Sequence, residues 1–196
     1  MDGGWLVTGG YDDGSDYLSS VVLYRDDKWH DYVDSMPASV ADHCQVTVDR
    51  EVFVIGGYNN GAVSTVYKLS DGNWSEVSSL KTPREDHMCS VLNGIIYVMG
   101  GYDGDNDVSS VELLHPGSDE WVPGPTLPVA VSSGQSVIHH NTLYVIGGKS
   151  SADVISTAIY RLDGDNWVTE EASLDSPRRI VFPAPLLSSR DLNCVE

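Results

Sequence analysis

Two histidines each follow an aspartate, in Asp42-His43 and Asp86-His87. Imidazole beside carboxylate is the kind of pairing from which a metal centre or a general base is built. A centre of that kind needs further ligands. At the corresponding spacing the chain next offers Gly134, and then Arg178-Arg179, so no third ligand follows and no metal is expected. Asp103-Gly104-Asp105-Asn106-Asp107 starts like a calcium loop. It lacks the glycine at its sixth place and the glutamate at its twelfth. No Ser-His-Asp spacing, phosphate-cradling glycine loop or nucleophile elbow is present. With no acid–base or nucleophile set to name, neither a cofactor nor an enzyme is expected. The three cysteines are odd in number and form no CxxC. That reads as reduced thiols in a reducing, cytoplasmic setting rather than as a disulfide framework. Cys44 and Cys89 read as small residues on buried strands. The chemistry left is that of recognition, carried by tyrosine, arginine and a large excess of acids.

A repeat must position those side chains. Gly9-Gly10, Gly56-Gly57, Gly100-Gly101 and Gly147-Gly148 each close a short apolar run, and Trp29, Trp74, Trp121 and Trp167 follow them. The second glycines lie 47, 44 and 47 residues apart, and the glycine-to-tryptophan gaps are 19, 17, 20 and 19. A repeat of this length is one small supersecondary unit that must stack on its neighbours to bury its faces. The units fall at about 1–36, 37–80, 81–127 and 128–174, in a single domain over 1–196.

Within the second unit, Cys44 to Val48 alternates as a strand, and Asp49-Arg50 turns. Val52 to Ile55 is a continuous apolar strand covered on both faces. The glycine pair then bends the backbone, and Tyr58-Asn59-Asn60-Gly61 forms a loop. Ser64 to Leu69 is a third strand, Asp71-Gly72 a hairpin turn, and Trp74 to Val77 a fourth. A tyrosine seven residues before the tryptophan recurs as Tyr67 and Tyr160, with Leu114 in its place in the third unit. No segment has a helical period. The pattern predicts an all-β protein of four-stranded antiparallel blades, a β-propeller, with the tryptophans packing blade on blade.

Gly-Gly, a Tyr-Asp/Asn loop, Tyr, Trp and then Pro-Arg is the order in this chain, most clearly in Lys81-Thr82-Pro83-Arg84-Glu85-Asp86-His87 and in Ile96 to Gly104. It resembles the kelch repeat, and in particular the kelch region of animal proteins that carry a BTB domain upstream. The resemblance covers about residues 4 to 187. It implies closure of the first blade by a C-terminal strand, with Ile180 to Phe182 beside Leu6 to Thr8. Kelch propellers usually have six blades, and four are counted here. A closed four-blade ring and part of a six-blade propeller both stay open.

The resemblance also implies a site. Two sets of loops converge on one face of kelch propellers that bind proteins. By position, the first set supplies Tyr11, Asp12, Tyr58, Asn59, Tyr102, Asp103 and Lys149, and the second Asp42, His43, Arg84, His87, Arg178 and Arg179. Tyrosine and arginine are the side chains that most often carry interface energy, and rigidly held loops are where recognition residues gather. Three tyrosines at one repeat position predict an aromatic arc around the channel. The same tyrosines could instead cover a neighbouring blade, and Arg84 and Arg178 could instead tie down carbonyl-rich turns.

The function implied is a protein-interaction module, the substrate-recognition part of a BTB-kelch adaptor for a cullin-type ubiquitin ligase. The ligase would be reached only through an upstream BTB domain absent from these residues. Kelch proteins also include actin-binding scaffolds and, as a lesser alternative, copper oxidases and sugar mutarotases. His139-His140 with Cys44 or Cys89 does not assemble a copper set. The 29 acids against 11 Lys and Arg give a formal charge of −18. That charge excludes nucleic acid and anionic membrane surfaces and favours a basic partner. No apolar run is long enough to span a membrane.

Overall fold

The computed structural model describes residues 4–32, 34–150 and 153–179. Among the described residues fifteen strands form four antiparallel sheets, and no helix occurs. The first blade holds β1 (Trp5–Thr8), β2 (Val21–Arg25) and β3 (Lys28–Asp31). The second holds β4 (Cys44–Val48), β5 (Glu51–Ile55), β6 (Val66–Ser70) and β7 (Asn73–Val77). The third holds β8 (Met88–Leu92), β9 (Ile95–Met99), β10 (Val111–Leu114) and β11 (Trp121–Pro123). The fourth holds β12 (Gln135–His139), β13 (Thr142–Ile146), β14 (Ile159–Asp163) and β15 (Asn166–Thr169). Each blade is a meander with strands in chain order, and the innermost strands β4, β8 and β12 stand side by side. This is the β-propeller arrangement that the repeat predicts. The closing strand expected at Ile180 to Phe182 lies outside the described residues.

The core is three apolar layers between consecutive blades. Val21, Met36 and Val40 of the first blade and its exit segment meet Val54 and Tyr67 of the second. Phe53 and Ile55 meet Ile96, Val98 and Trp121. Met88, Met99 and Val111 meet Leu143, Val145 and Trp167. The run Val52–Ile55 is buried throughout because both faces of β5 meet another blade. The acids cluster in turns: Asp26, Asp27, Asp49 and Asp71 all have positive φ, which Asp tolerates better than most residues.

Register corrects one repeat position. Leu69, Leu162 and Tyr24 each pair with a tryptophan five residues later, whereas Leu114 pairs with Trp121, seven later. The β10–β11 hairpin is two residues longer than its counterparts. Leu114 is therefore the equivalent of Leu69. The place of Tyr67 and Tyr160 belongs to Glu112, which pairs with Val98 as Tyr67 pairs with Val54. The cysteine reading also changes. Cys44 and Cys89 are only half-buried, and their sulfurs bond across the neighbouring inner strands, with Cα atoms 6.0 Å apart.

Candidate functional site: the loop face

The residue after the second, third and fourth glycine pairs is held against the connection that enters its own blade. Tyr58 and Ala41 exchange two backbone hydrogen bonds of 2.7 and 3.0 Å. Tyr102 and Glu85 exchange two of 2.9 Å, and Lys149 and Ser132 two of 2.8 and 2.9 Å. These isolated bridges pull the two loop sets onto one face. A second chain of bonds runs from blade to blade, from Asp86 N–H to Asp42 C=O at 3.0 Å and from Ser133 N–H to Asp86 C=O at 2.8 Å. Asp42, Asp86 and Ser133 all have φ near +50°.

The glycines and the histidines fit one another. A Cβ on Gly101 would stand 2.7 Å from both the Glu85 carbonyl oxygen and the His87 Cβ, and one on Gly56 would stand 2.9 Å from the His87 ring. The His87 ring thus lies under the glycine of the blade before it. His43 lies likewise beneath Gly9, with Nε2 bonded to Thr8 Oγ1 at 2.9 Å. Burial lowers the His43 pKa to about 4 and that of His87 to about 3, the nearby Arg84 charge adding to the latter. Both rings are neutral at pH 7 and pack between blades. His87 is buried and so is not presented at the surface, which corrects its placement in the binding set, whereas His43 is half-buried.

Arg84 is corrected in the same way. It is 0% exposed. Its Nη1 donates to the carbonyls of Gly100 (2.7 Å) and Ser110 (3.0 Å), and its Nη2 to Ser110 Oγ and Glu112 Oε1, both at 2.9 Å. Glu112 also accepts from the N–H groups of Lys81 and Thr82 at 2.7 and 3.1 Å. This is the tie to carbonyl-rich turns, completed by a carboxylate that sequence reasoning missed. The available signal was a lone acid in the apolar run Val111-Glu112-Leu113-Leu114. Arg178 and Arg179 are exposed.

What remains at the surface is tyrosine and acid. Tyr11, 46% exposed, donates its hydroxyl to Asp42 Oδ2 at 2.7 Å. Burial and that bond raise its pKa. Tyr17 stands between Tyr11 and Tyr58, with ring centroids 5.5 and 5.6 Å away. Sequence reasoning missed Tyr17 because it lies on the far side of its loop, opposite Tyr11 in a bridge. The half-buried Tyr102 is not stacked with these rings, so the aromatic arc spans the first two blades rather than three. Asp12 and Asp103 each use Oδ1 to cap their own loops, accepting from Gly14 and Asp16 and from Asp105 and Asn106. Asn59 is half-buried in its turn.

Asp42, Glu85 and Asp86 form the inner acidic patch. Burial raises the Glu85 pKa to about 7, helped by the neighbouring Asp86 and Asp42 charges. Asp86 is raised by burial and by Asp42, and is relieved by Ser133, Arg179 and Lys149. The face is therefore acidic over three blades and basic at the fourth. Lys149 there is half-buried and also reaches Asp153 at 3.4 Å. Among the described residues no group of three or more His, Cys, Asp or Glu is arranged to hold a metal ion.

A family model described as the KLHDC2/KLHL20/DRC7 kelch-repeats domain matches residues 2–182. The chain is 30% identical over 186 residues to the kelch repeat and BTB domain-containing protein A55 of vaccinia virus, covering 88% of this chain and 32% of that protein. It is 31% identical over 119 residues to the kelch repeat protein M-T8 of myxoma virus, covering 59% of this chain and 23% of that one. The chain thus spans about a third or less of the length of these relatives. Among solved structures, YjhT superposes with a TM-score of 0.70 at 16% identity, covering 87% of this chain and 66% of that one.

Proposed function

Because the chain belongs to the kelch-repeat family, a family of protein-interaction modules, we propose that its loop face is the recognition surface. We further propose that this surface is the substrate-recognising part of a BTB-kelch adaptor for a cullin-type ubiquitin ligase. The observation that carries the site is the Tyr11–Tyr17–Tyr58 cluster, exposed at Tyr11 and half-buried at the other two rings, running into the Asp42, Glu85 and Asp86 carboxylates. Aromatic rings supply rigid contact area, and half-desolvated acids gain most from a cation that replaces lost water. The partner segment is therefore basic, with an arginine or lysine facing Glu85 and Asp86. The BTB domain named in the relatives supports the adaptor role, since such a domain in the longer protein would supply the ligase contact.

The test is a comparison of proteins captured by the native chain and by a Glu85→Lys/Asp86→Asn variant, with Glu120→Lys as an exposed control away from the loop face. The expected result is a basic partner retained by the control and lost by the double variant. A partner set unchanged by the double variant removes the acidic patch from the site.

A further inference from the structure

Neighbouring blades belong to different sheets, so no strand ladder joins them. Side chains tie them instead, and one register position supplies a tie at each internal junction. Gln45, Cys89 and Ser136 hold that position, opposite Val54, Val98 and Val145 of the next strand in their own blades. Gln45 reaches back to β1 of the first blade. Its Nε2 donates to the Leu6 carbonyl at 3.1 Å, and its Oε1 accepts from Thr8 Oγ1 at 2.8 Å. Ser136 reaches back to β8 of the third. Its Oγ donates to the Cys89 carbonyl and accepts from Ser90 Oγ, both at 3.0 Å. Cys89 reaches back to β4 of the second, where its sulfur bonds that of Cys44. The same place in the repeat is tied twice by hydrogen bonds and once covalently.

Two features separate this bond from a fixed staple. First, the junction is held without it. Phe53 and Ile55 of the second blade pack on Ile96, Val98 and Trp121 of the third. Arg84, in the connection between the two blades, donates to the carbonyls of Gly100 and Ser110. Cα atoms 6.0 Å apart suit a disulfide and also suit two thiols in contact, so making or breaking the bond moves little backbone. Second, both cysteines are half-buried rather than sealed in the core, so a small thiol can reach them. The bond also has leverage on the surface. Asp42 stands two residues before Cys44 and Asp86 three before Cys89. The Asp86 N–H donates to the Asp42 carbonyl at 3.0 Å. The cross-link therefore joins the two strands just past the contact that holds the loop-face carboxylates of the second and third blades together.

We propose that Cys44 and Cys89 form a reversible redox site, a cross-link between the second and third blades that the glutathione couple makes and breaks. Reduction takes two exchange steps. A glutathione thiolate attacks one of the two sulfurs. The Cys44–Cys89 bond breaks, a mixed disulfide forms, and the released cysteine thiolate takes up a proton. A second glutathione thiolate attacks the mixed disulfide, frees the other cysteine, which is protonated in turn, and leaves as glutathione disulfide. Two electrons pass from two glutathiones to the protein, and glutathione disulfide drives the reverse. With the bond closed, the Asp42–Asp86 contact is held. With it broken, that contact opens more often. The recognition reading is not needed for this, since the bond and the contact are both measured without a partner.

Equilibration of the 196-residue chain with glutathione and glutathione disulfide tests it. Acid quenching, alkylation and peptide mapping count the free thiols at each position. A Cys194→Ser variant run in parallel removes the third cysteine, so that the Cys44–Cys89 bond is separated from other pairings. The expected result is full interconversion of dithiol and disulfide between excess glutathione and excess glutathione disulfide. Both forms are expected to keep a native near-ultraviolet circular dichroism spectrum. Oxidation is expected to raise the melting temperature by about 5 °C or more, because the bond joins residues 45 apart in sequence. The Asp86 amide is expected to exchange about threefold or more faster in the dithiol form, by NMR. Cys44→Ser/Cys89→Ser, which cannot form the bond, is expected to match the dithiol form in both readouts. Cysteines that stay free in excess glutathione disulfide overturn the proposal. So does a bond that survives excess glutathione, a dithiol form that is unfolded, or an Asp86 amide that exchanges equally fast in both forms.

Discussion

The third blade and the first carry the same glycine pair and the same tryptophan, yet the faces that carry the tryptophan meet opposite fates. Trp121 is 0% exposed and hydrogen-bonded, whereas Trp29 is 56% exposed. Glu112 of the third blade anchors the buried Arg84, and its first-blade counterpart by register is Val22. A repeat motif therefore fixes the local meander, while the energy of each motif residue comes from the blade it faces. In a stacked-repeat protein, stability is shared between intrinsic unit terms and neighbour terms, and here one sequence position samples both.

The comparison breaks most visibly at the buried ion pair. Arg84→Ala leaves Glu112 desolvated without its cation, and is expected to cost about 3–5 kcal/mol in denaturant unfolding. Arg178→Ala, at the same repeat position but exposed, is expected to change the stability of dilute protein by no more than about 0.5 kcal/mol. Equal effects would mean that Arg178 is buried in the folded chain.

The tryptophans give the next contrast. Trp121→Ala empties a filled junction and is expected to cost about 3–5 kcal/mol. Trp29→Ala removes a ring that is stacked on Tyr24 but otherwise open to water, at about 1 kcal/mol. Thermal melts at matched low concentration measure both, and a large loss for Trp29→Ala would contradict the open face.

The smallest effect is in pH dependence, on the connection entering the third blade. The Glu85 carboxyl is raised from 4.5 to about 7, so between those values the folded chain holds a proton that the unfolded chain releases. Its contribution to stability therefore falls as pH rises through that window. Glu85→Gln is expected to flatten the stability profile there and to be the more stable form at pH 8. The neutral histidines act in the opposite sense below 6.5, where the unfolded chain binds protons first. An unchanged profile in the glutamine variant would place Glu85 in free solvent.

Much of this was legible in residue types. Asp71-Gly72 is the turn between β6 and β7, and Val52–Ile55 is doubly covered, because turn chemistry and apolar runs are local signals. The convergence of the two loop sets was legible only through the resemblance, since the bonds joining Tyr58 to Ala41 span a whole hairpin. Counting from the tryptophan placed Leu114 wrongly, because hairpin length shifts register without altering composition. Tyr17, Glu112 and the Cys44–Cys89 bond escaped because each depends on what stands across a loop, a turn or a junction.

By itself the sequence determined the unit: strands, turns and the glycine pairs that let a histidine pass beneath, all set by backbone sterics and short-range pattern. Tertiary structure alone decided which copies of a repeated residue are buried and which stay exposed. Arg84 and Arg178, or Trp121 and Trp29, share a motif position and differ only in whether another blade removes them from water. Burial is a property of the neighbour, and no residue encodes its neighbour's presence.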